Sequence, residues 1–127
     1  MILITGGAYQ GKTAYAQQHF LYPITDGADC SFDTAKTTKM LKNYHILVRR
    51  LLECRSDAEA FTHLLCAENP DCVILLDEIG SGIIPIKKSE RIWRVTVGRC
   101  GCILAEKSDT VIRLVCGIPT VIKGKLL

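Results

Sequence analysis

The sequence has no apolar run of membrane-spanning length, no recognisable export signal and no strong excess of charge of either sign. A transmembrane helix needs about 20 consecutive apolar residues, so we expect no membrane partner. The first apolar run, Met1–Ile4, is too short for a signal peptide and is followed directly by glycines. The formal net charge of +3 is too weak to indicate nucleic acid, but it suits a small polyanionic ligand.

The cysteines also lack the arrangement of a secreted or zinc-binding domain. Their number is odd, seven, and no two form a C-x-x-C pair, which argues against a disulfide framework and against a zinc ribbon. Cys100 and Cys102 form a C-x-C motif, which fits small apolar side chains on a helix better than a redox or metal site. Reduced thiols and the lack of an export signal predict a cytoplasmic protein.

The sequence contains enough apolar residues to form one folded domain. Its 127 residues suit a single domain spanning residues 1–127, and 48% of them are hydrophobic, too many for a disordered chain. No repeat, linker or low-complexity stretch interrupts it. At this size a single sheet flanked by helices can bury a sizeable core.

Strand and helix patterns alternate along the chain. Short apolar runs predict strands at residues 1–5, 20–25, 44–48, 72–76, 110–116 and 120–123. Helices are predicted at residues 13–19 and 33–42, from the Ser56–Glu59 capping box to Asn69-Pro70, and at residues 89–107. Turns or loops are predicted at Asp26-Gly27, Gly80-Ser81-Gly82 and Gly117-Ile118-Pro119. The alternation predicts an α/β fold with a mostly parallel sheet and helices on both faces.

The first strand–helix junction carries a phosphate-binding motif of the form G-x-x-x-x-G-K-[ST]. It consists of Gly6, Gly7, Ala8, Tyr9, Gln10, Gly11, Lys12 and Thr13. Glycines let the backbone turn its N–H groups toward a phosphate, and the following helix points its positive end at the same anion. The motif predicts a nucleoside triphosphate site, in which Lys12 reaches the β- and γ-phosphates and the Thr13 hydroxyl holds Mg²⁺.

Two acidic residues, Asp77 and Glu78, follow the strand predicted at residues 72–76. A carboxylate at the carboxyl edge of a strand near a P-loop is the expected second anchor for Mg²⁺, usually through water. Asp77 is our candidate for this anchor, together with Thr13. The choice between the two carboxylates stays open, because Glu78 could face the metal or orient the attacking group. An ordinary acidic strand end in solvent is the alternative.

Four segments together resemble one known family. They are residues 1–13, the stretch Asp77–Pro85, Trp93-Arg94 with Gly98-Arg99, and Gly117-Ile118-Pro119 with Ile122-Lys123. The last three are similar to the family patterns N-E-x-G-x-G-x-V-P, aromatic-R-D-x-x-G-R and G-x-P-x-x-I-K. On these segments the chain resembles the adenosylcobinamide kinase/adenosylcobinamide-phosphate guanylyltransferases of cobalamin biosynthesis. The resemblance implies a RecA-like P-loop fold, ATP or GTP as substrate, a cobinamide-type acceptor and a homo-oligomer, a trimer.

The chain departs from this family in its middle part. Members are longer, and residues 72–78 look as though two strands were merged and a βα unit lost. The family's guanylyl-accepting histidine lies in a segment like H-x-x-x-R-P-x-x-W; His45 is the nearest candidate by position but lacks the proline and the tryptophan. An ordinary strand residue is the alternative interpretation of His45. Val95 replaces an acid and Gly101-Cys102 replaces an N-Q pair, which removes polar groups from the expected acceptor side.

Two classes of function follow. The first is an enzyme, an ATP- or GTP-dependent kinase that phosphorylates a hydroxyl of a cobinamide-type acceptor, with Lys12, Asp77 and Glu78 as catalytic residues. Nucleotidyl transfer through His45 would be a second activity, which the divergent segment around it disfavours. The alternatives are a nucleotide-binding regulator or partner subunit without turnover, and a small P-loop kinase or NTPase for another substrate.

Overall fold

The computed structural model describes residues 1–80 and 82–127, so Ser81, within the predicted Gly80-Ser81-Gly82 loop, lies outside the described residues. In these ranges the chain forms six strands, β1 (Ile2–Gly6), β2 (Thr25–Asp26), β3 (Met40–Lys42), β4 (Val73–Asp77), β5 (Thr110–Val115) and β6 (Ile118–Lys123). The helices of the same ranges are α1 (Lys12–His19), α2 (Phe32–Ala35), α3 (Tyr44–Glu53), α4 (Ala58–Glu68) and α5 (Lys88–Lys107). None of the helices in the described part is both long and apolar enough to cross a membrane.

The strands form one sheet in the order β2-β3-β4-β1-β5-β6. β1 pairs in parallel with β4 and β5, and β3 pairs in parallel with β2 and β4. β6 returns antiparallel beside β5. The predicted α/β fold with a mostly parallel sheet is therefore confirmed. Since β1 and β4 are parallel neighbours, their carboxyl ends bring Gly6 directly beside Asp77.

Helices cover both faces of this sheet, as predicted. On one face α1 packs Tyr15 against the strands, and on the other face α3, α4 and α5 pack together. β4 is buried on both sides because its side chains alternate between the two cores. Val73 and Leu75 belong to the core under α1. Ile74 and Leu76 belong to the core under α3, α4 and α5, which explains the nearly continuous apolar run of this strand.

The strand predicted at residues 44–48 is wrong, because these residues form the first half of α3. Tyr44, Leu47, Val48 and Leu51 are buried at the spacing of one helical face. A window of five residues contains too little of this stripe to distinguish it from a short strand. His45 is consequently a helix residue, and its interpretation as a strand residue is also wrong.

The predicted helix at residues 33–42 is correct only at its beginning. Ser31 caps α2, its hydroxyl accepting from the Thr34 amide, but the helix ends at Ala35. Met40 and Leu41 then pair with β4 and are fully buried, so sheet pairing overrides the helical pattern.

Three smaller differences concern element boundaries. The strand predicted at residues 20–25 reduces to β2, which begins at Thr25. α4 is capped by Asp57 rather than Ser56, since the Asp57 carboxylate accepts from the Ala60 amide. The turn predicted at Gly117-Ile118-Pro119 consists instead of Cys116 and Gly117, because β6 already begins at Ile118.

Candidate active site

The loop between β1 and α1 has the backbone conformation of an anion-binding turn. Tyr9 and Gly11 adopt left-handed conformations, with φ of 59° and 91°, immediately before α1 begins at Lys12. Gly6 must be glycine, since a Cβ there would lie 2.5 Å from the carbonyl oxygen of Leu114 on β5. This close approach seats the loop directly on the end of the sheet.

The β5–β6 turn holds the loop from outside. The amide of Gly117 donates to the Gln10 carbonyl at 3.0 Å, and the amide of Cys116 donates to the Gln10 side-chain oxygen at 2.5 Å. Gln10 is thus bound through both its main chain and its side chain. The variable positions of the motif therefore include one residue that fixes the loop, a role that the motif itself does not predict.

Lys12 is folded back over the loop and meets Asp77. Its Nζ donates to the carbonyl oxygens of Gly7 at 2.7 Å and Gly6 at 3.3 Å, and lies 2.7 Å from Asp77 Oδ1. The Lys12 side chain is only 8% exposed and that of Asp77 is 20% exposed. The structure therefore brings together the lysine of the motif and one of the two acids that the sequence offered.

The other acid, Glu78, belongs to a different environment. Its carboxylate accepts two hydrogen bonds from the Arg113 guanidinium, at 2.9 and 3.1 Å, and the Arg113 side chain is half exposed. Successive residues leaving a strand point to opposite faces of the sheet, which separates the two carboxylates although they are adjacent in sequence. Glu78 is not brought together with Lys12.

His45 lies in the first turn of α3 and faces Asp77, with 3.5 Å between its Nε2 and Asp77 Oδ2. The residue is 7% exposed, and its buried Nδ1 has no hydrogen-bond partner among the described residues. Burial lowers the pKa of His45 below its ordinary value, although the Asp77 carboxylate acts in the opposite direction. The indole of Trp93 donates to the His45 carbonyl at 2.8 Å and fixes this turn against α5.

These residues surround one open cavity of about 620 Å³ at the carboxyl edge of the sheet. Its lining consists of residues 8–14 together with Asn43, His45, Ile46 and Asp77. Lys12, Thr13 and Asp77 therefore share a space with His45, whereas Glu78 does not contribute to it. We call this space the P-loop cavity.

Asn43 also lines the cavity, although no sequence motif includes it. It precedes α3 in a left-handed conformation, φ 58°, and its amide donates to the Asp26 carboxylate at 2.9 Å. Asparagine tolerates this conformation better than most residues, so an asparagine after the short apolar run Met40-Leu41 was the available signal. The helix predicted at residues 33–42 hides this signal, because it includes Met40-Leu41.

Comparison with known proteins decides the family. A family model described as cobinamide kinase / cobinamide phosphate guanyltransferase matches residues 29–122. The chain belongs to this family. The match covers α2 to α5, β3 to β5 and all but the last residue of β6. The P-loop lies before the matched residues, so its assignment depends on its own motif and geometry. A comparison with curated proteins found no match.

Members of the cobinamide kinase / cobinamide phosphate guanyltransferase family are enzymes of cobalamin biosynthesis that use nucleoside triphosphates and cobinamide as substrates. The chain therefore belongs to a family of enzymes. Membership also implies Mg²⁺ as a companion of the nucleotide. The donor set fits that ion, since the Thr13 hydroxyl and the Asp77 carboxylate are hard oxygen ligands in one cavity. Within residues 1–80 and 82–127 no group of three or more His, Cys, Asp and Glu could hold a metal alone, and magnesium typically takes its remaining ligands from phosphates and water.

Proposed function

We propose that the chain binds ATP or GTP with Mg²⁺ in the P-loop cavity and transfers the γ-phosphoryl group to a hydroxyl of a cobinamide-type acceptor. The observation that carries this proposal is the meeting of Lys12, Thr13 and Asp77 around one cavity at the end of β1. A helix N-terminus, a buried cation and a carboxylate converging on one space are what phosphoryl transfer requires.

Each group has a defined task in this proposal. The amides of residues 8–13 and the positive end of α1 bind the β- and γ-phosphates. Lys12 exchanges its present acceptors, the Gly6 and Gly7 carbonyls, for phosphate oxygens. Mg²⁺, when bound, would neutralise charge that develops on the phosphates, and Thr13 and Asp77 would hold it. Asp77 then separates from Lys12, so nucleotide binding replaces an ion pair that already exists.

The chemical step balances as a substitution at phosphorus. The acceptor hydroxyl oxygen forms a bond to the γ-phosphorus, and the bond from that phosphorus to the β,γ-bridging oxygen breaks. The nucleoside diphosphate leaves with the electron pair, and the hydroxyl proton passes to Asp77 or directly to water.

A transfer assay with cobinamide and labelled ATP or GTP tests this proposal. The intact protein should phosphorylate cobinamide, and Lys12→Ala should lower kcat at least 100-fold because it removes charge stabilisation at the transferred group. Lys39→Ala, an exposed lysine outside the cavity, is the control and should retain activity. Nucleotide binding without transfer by the intact protein would support instead a partner subunit or regulator without turnover.

Three observations favour a second activity, nucleotidyl transfer through His45. Its imidazole lines the P-loop cavity, its pKa is lowered by burial, and one of its nitrogens has no partner among the described residues. An imidazole nitrogen would form a bond to the α-phosphorus of GTP while the bond to the α,β-bridging oxygen breaks and pyrophosphate leaves. The guanylyl group would then pass to a phosphate oxygen of the phosphorylated acceptor, which restores the imidazole.

Incubation with GTP labelled in its α-phosphate, followed by denaturation, tests this second activity. We expect an acid-labile label that His45→Gln removes and that His63→Gln, an exposed histidine on α4, does not. An unlabelled intact protein would leave only the kinase activity. The cytoplasmic location and the trimeric assembly stay predictions from the sequence and the resemblance.

A further inference from the structure

A second cavity shares the lining residue Asp77 with the P-loop cavity. Its volume is about 460 Å³, and β1, β4, β5, β6 and α5 contribute to its walls. We call it the α5 cavity; its walls include Leu76, Val97, Gly98, Cys102 and Val111. Asp77 contributes to the lining of both cavities, so the two spaces meet at the end of β4.

Small residues on α5 create this space. A Cβ at Gly98 would meet nothing within 4 Å, and one at Gly101 would already lie 3.3 Å from the Leu76 side chain. Both glycines are interior to a 20-residue helix, where glycine is unfavourable compared with alanine. A side chain at either position would enter the cavity, so its volume depends directly on these two residues.

The chemistry of the walls selects an apolar ligand rather than a second phosphate. The charged residues at the cavity already have partners: Arg113 pairs with Glu78 at 2.9 and 3.1 Å. The Arg94 guanidinium donates to the carbonyl oxygens of Gly80 and Ile83, at 2.7 Å each. The remaining walls are mostly aliphatic, and their size is in the ordinary range for a small-molecule pocket.

We propose that the α5 cavity holds the alcohol-bearing arm of the phosphoryl acceptor, an amphipathic molecule whose apolar part contacts α5 and β5 while its hydroxyl lies at Asp77. The role of the hydroxyl as the attacking group rests on the proposed kinase function. Binding of the acceptor in the α5 cavity does not depend on that function. The acceptor and the triphosphate then approach the Asp77 carboxylate from different cavities. In-line attack on the γ-phosphorus needs such a placement, since the attacking and leaving oxygens lie on opposite sides of the phosphorus.

Cys102 provides a direct test, because it is an exposed thiol in the α5 cavity, whereas Cys54 is an exposed thiol at the end of α3. The intact protein is alkylated with iodoacetamide, with and without 1 mM cobinamide, and each cysteine is followed by mass spectrometry. We expect cobinamide to slow alkylation of Cys102 at least fivefold and that of Cys54 less than twofold. Equal rates at Cys102 with and without cobinamide overturn the proposal.

A third alkylation reaction, with Mg·GTP and without cobinamide, distinguishes a failure of the α5-cavity assignment from a failure of the proposed kinase function. Protection of Cys102 by Mg·GTP would assign the cavity to the nucleotide base and would also overturn the proposal. Protection by cobinamide in a protein that does not bind Mg·GTP would support the acceptor site while the kinase function fails. Transfer of phosphate to cobinamide without protection of Cys102 would support the kinase function and overturn the assignment of the α5 cavity.

A cavity-filling variant gives a second, kinetic test. Gly98→Leu places a side chain in the α5 cavity without a backbone collision, and Glu106→Leu adds the same side chain on an exposed part of α5 as the control. Gly98→Leu should raise KM for cobinamide at least tenfold and change the affinity for Mg·GTP less than twofold. An unchanged KM in a folded Gly98→Leu protein would contradict the assignment.

Discussion

Asp77→Asn tests the arrangement at the meeting point of the two cavities. The change keeps the size of the side chain but removes the charge that faces Lys12 at 2.7 Å and His45 at 3.5 Å. A hydrogen bond to a charged group contributes about 1.5–3 kcal/mol, and the asparagine oxygen can still accept from Lys12, so we expect a loss of about 1–3 kcal/mol of unfolding free energy. Urea unfolding at neutral pH, followed by the fluorescence of Trp93, measures it.

Glu78→Gln is the matched control, because it makes the same chemical change in the neighbouring carboxylate. Its pair with Arg113 is partly exposed and screened by solvent, so the loss should be clearly smaller than for Asp77→Asn. Asp77→Asn should also reduce the difference between triphosphate affinities measured with Mg²⁺ and with EDTA, whereas Glu78→Gln should retain it. Equal effects of the two variants on stability and on this difference would refute the assignment of Asp77.

Three further predictions follow from local geometry. Burial lowers the pKa of His45, so the unfolded chain binds a proton at this histidine more readily than the folded chain does. The unfolding free energy should therefore fall as the pH drops below about 6.5. His45→Gln should reduce this pH dependence, which urea unfolding at several pH values measures. Gly6→Ala should lower the unfolding free energy by more than about 2 kcal/mol, since its Cβ would collide with a β5 carbonyl. Gly98→Ala should instead raise it by about 0.5–1 kcal/mol, because a Cβ on this wall of the α5 cavity would meet nothing within 4 Å; thermal unfolding of both variants distinguishes these signs. Tyr44→Phe should cost about 0.5–1.5 kcal/mol in urea unfolding, because it removes the buried hydrogen bond of 2.7 Å to Thr62, whose hydroxyl still donates to a helix carbonyl.

The parts of the site that follow from local rules could be predicted from the sequence. The P-loop motif needs glycines and a lysine at fixed spacing, and the structure gives these residues the expected loop between β1 and α1. The strand that ends at Asp77 was equally accessible, because a buried parallel strand is a continuous apolar run. The sequence leaves two carboxylates, Asp77 and Glu78, as candidates for the second Mg²⁺ ligand. The choice between them depends on which face of the sheet each side chain lies on.

The parts that depend on distant contacts could not be predicted. The first half of α3 looks like a strand in the sequence, because its apolar stripe becomes clear only over ten residues. The orientation of His45 toward Asp77 therefore does not follow from the sequence pattern. β3 exists because Met40 and Leu41 pair with β4, more than thirty positions away in the chain. The α5 cavity arises where small residues of α5 lie over β4 and β5, an arrangement that no local pattern contains.

Isothermal titration of the intact protein and of Lys12→Ala with Mg·GTP and Mg·ATP tests most directly whether residues 6–13 bind a triphosphate through Lys12. We predict saturable binding of at least one of the two nucleotides by the intact protein and an affinity lowered at least tenfold by Lys12→Ala, because the substitution removes the buried cation of the cavity. No binding of either nucleotide, or equal affinities of the two proteins, would contradict the account.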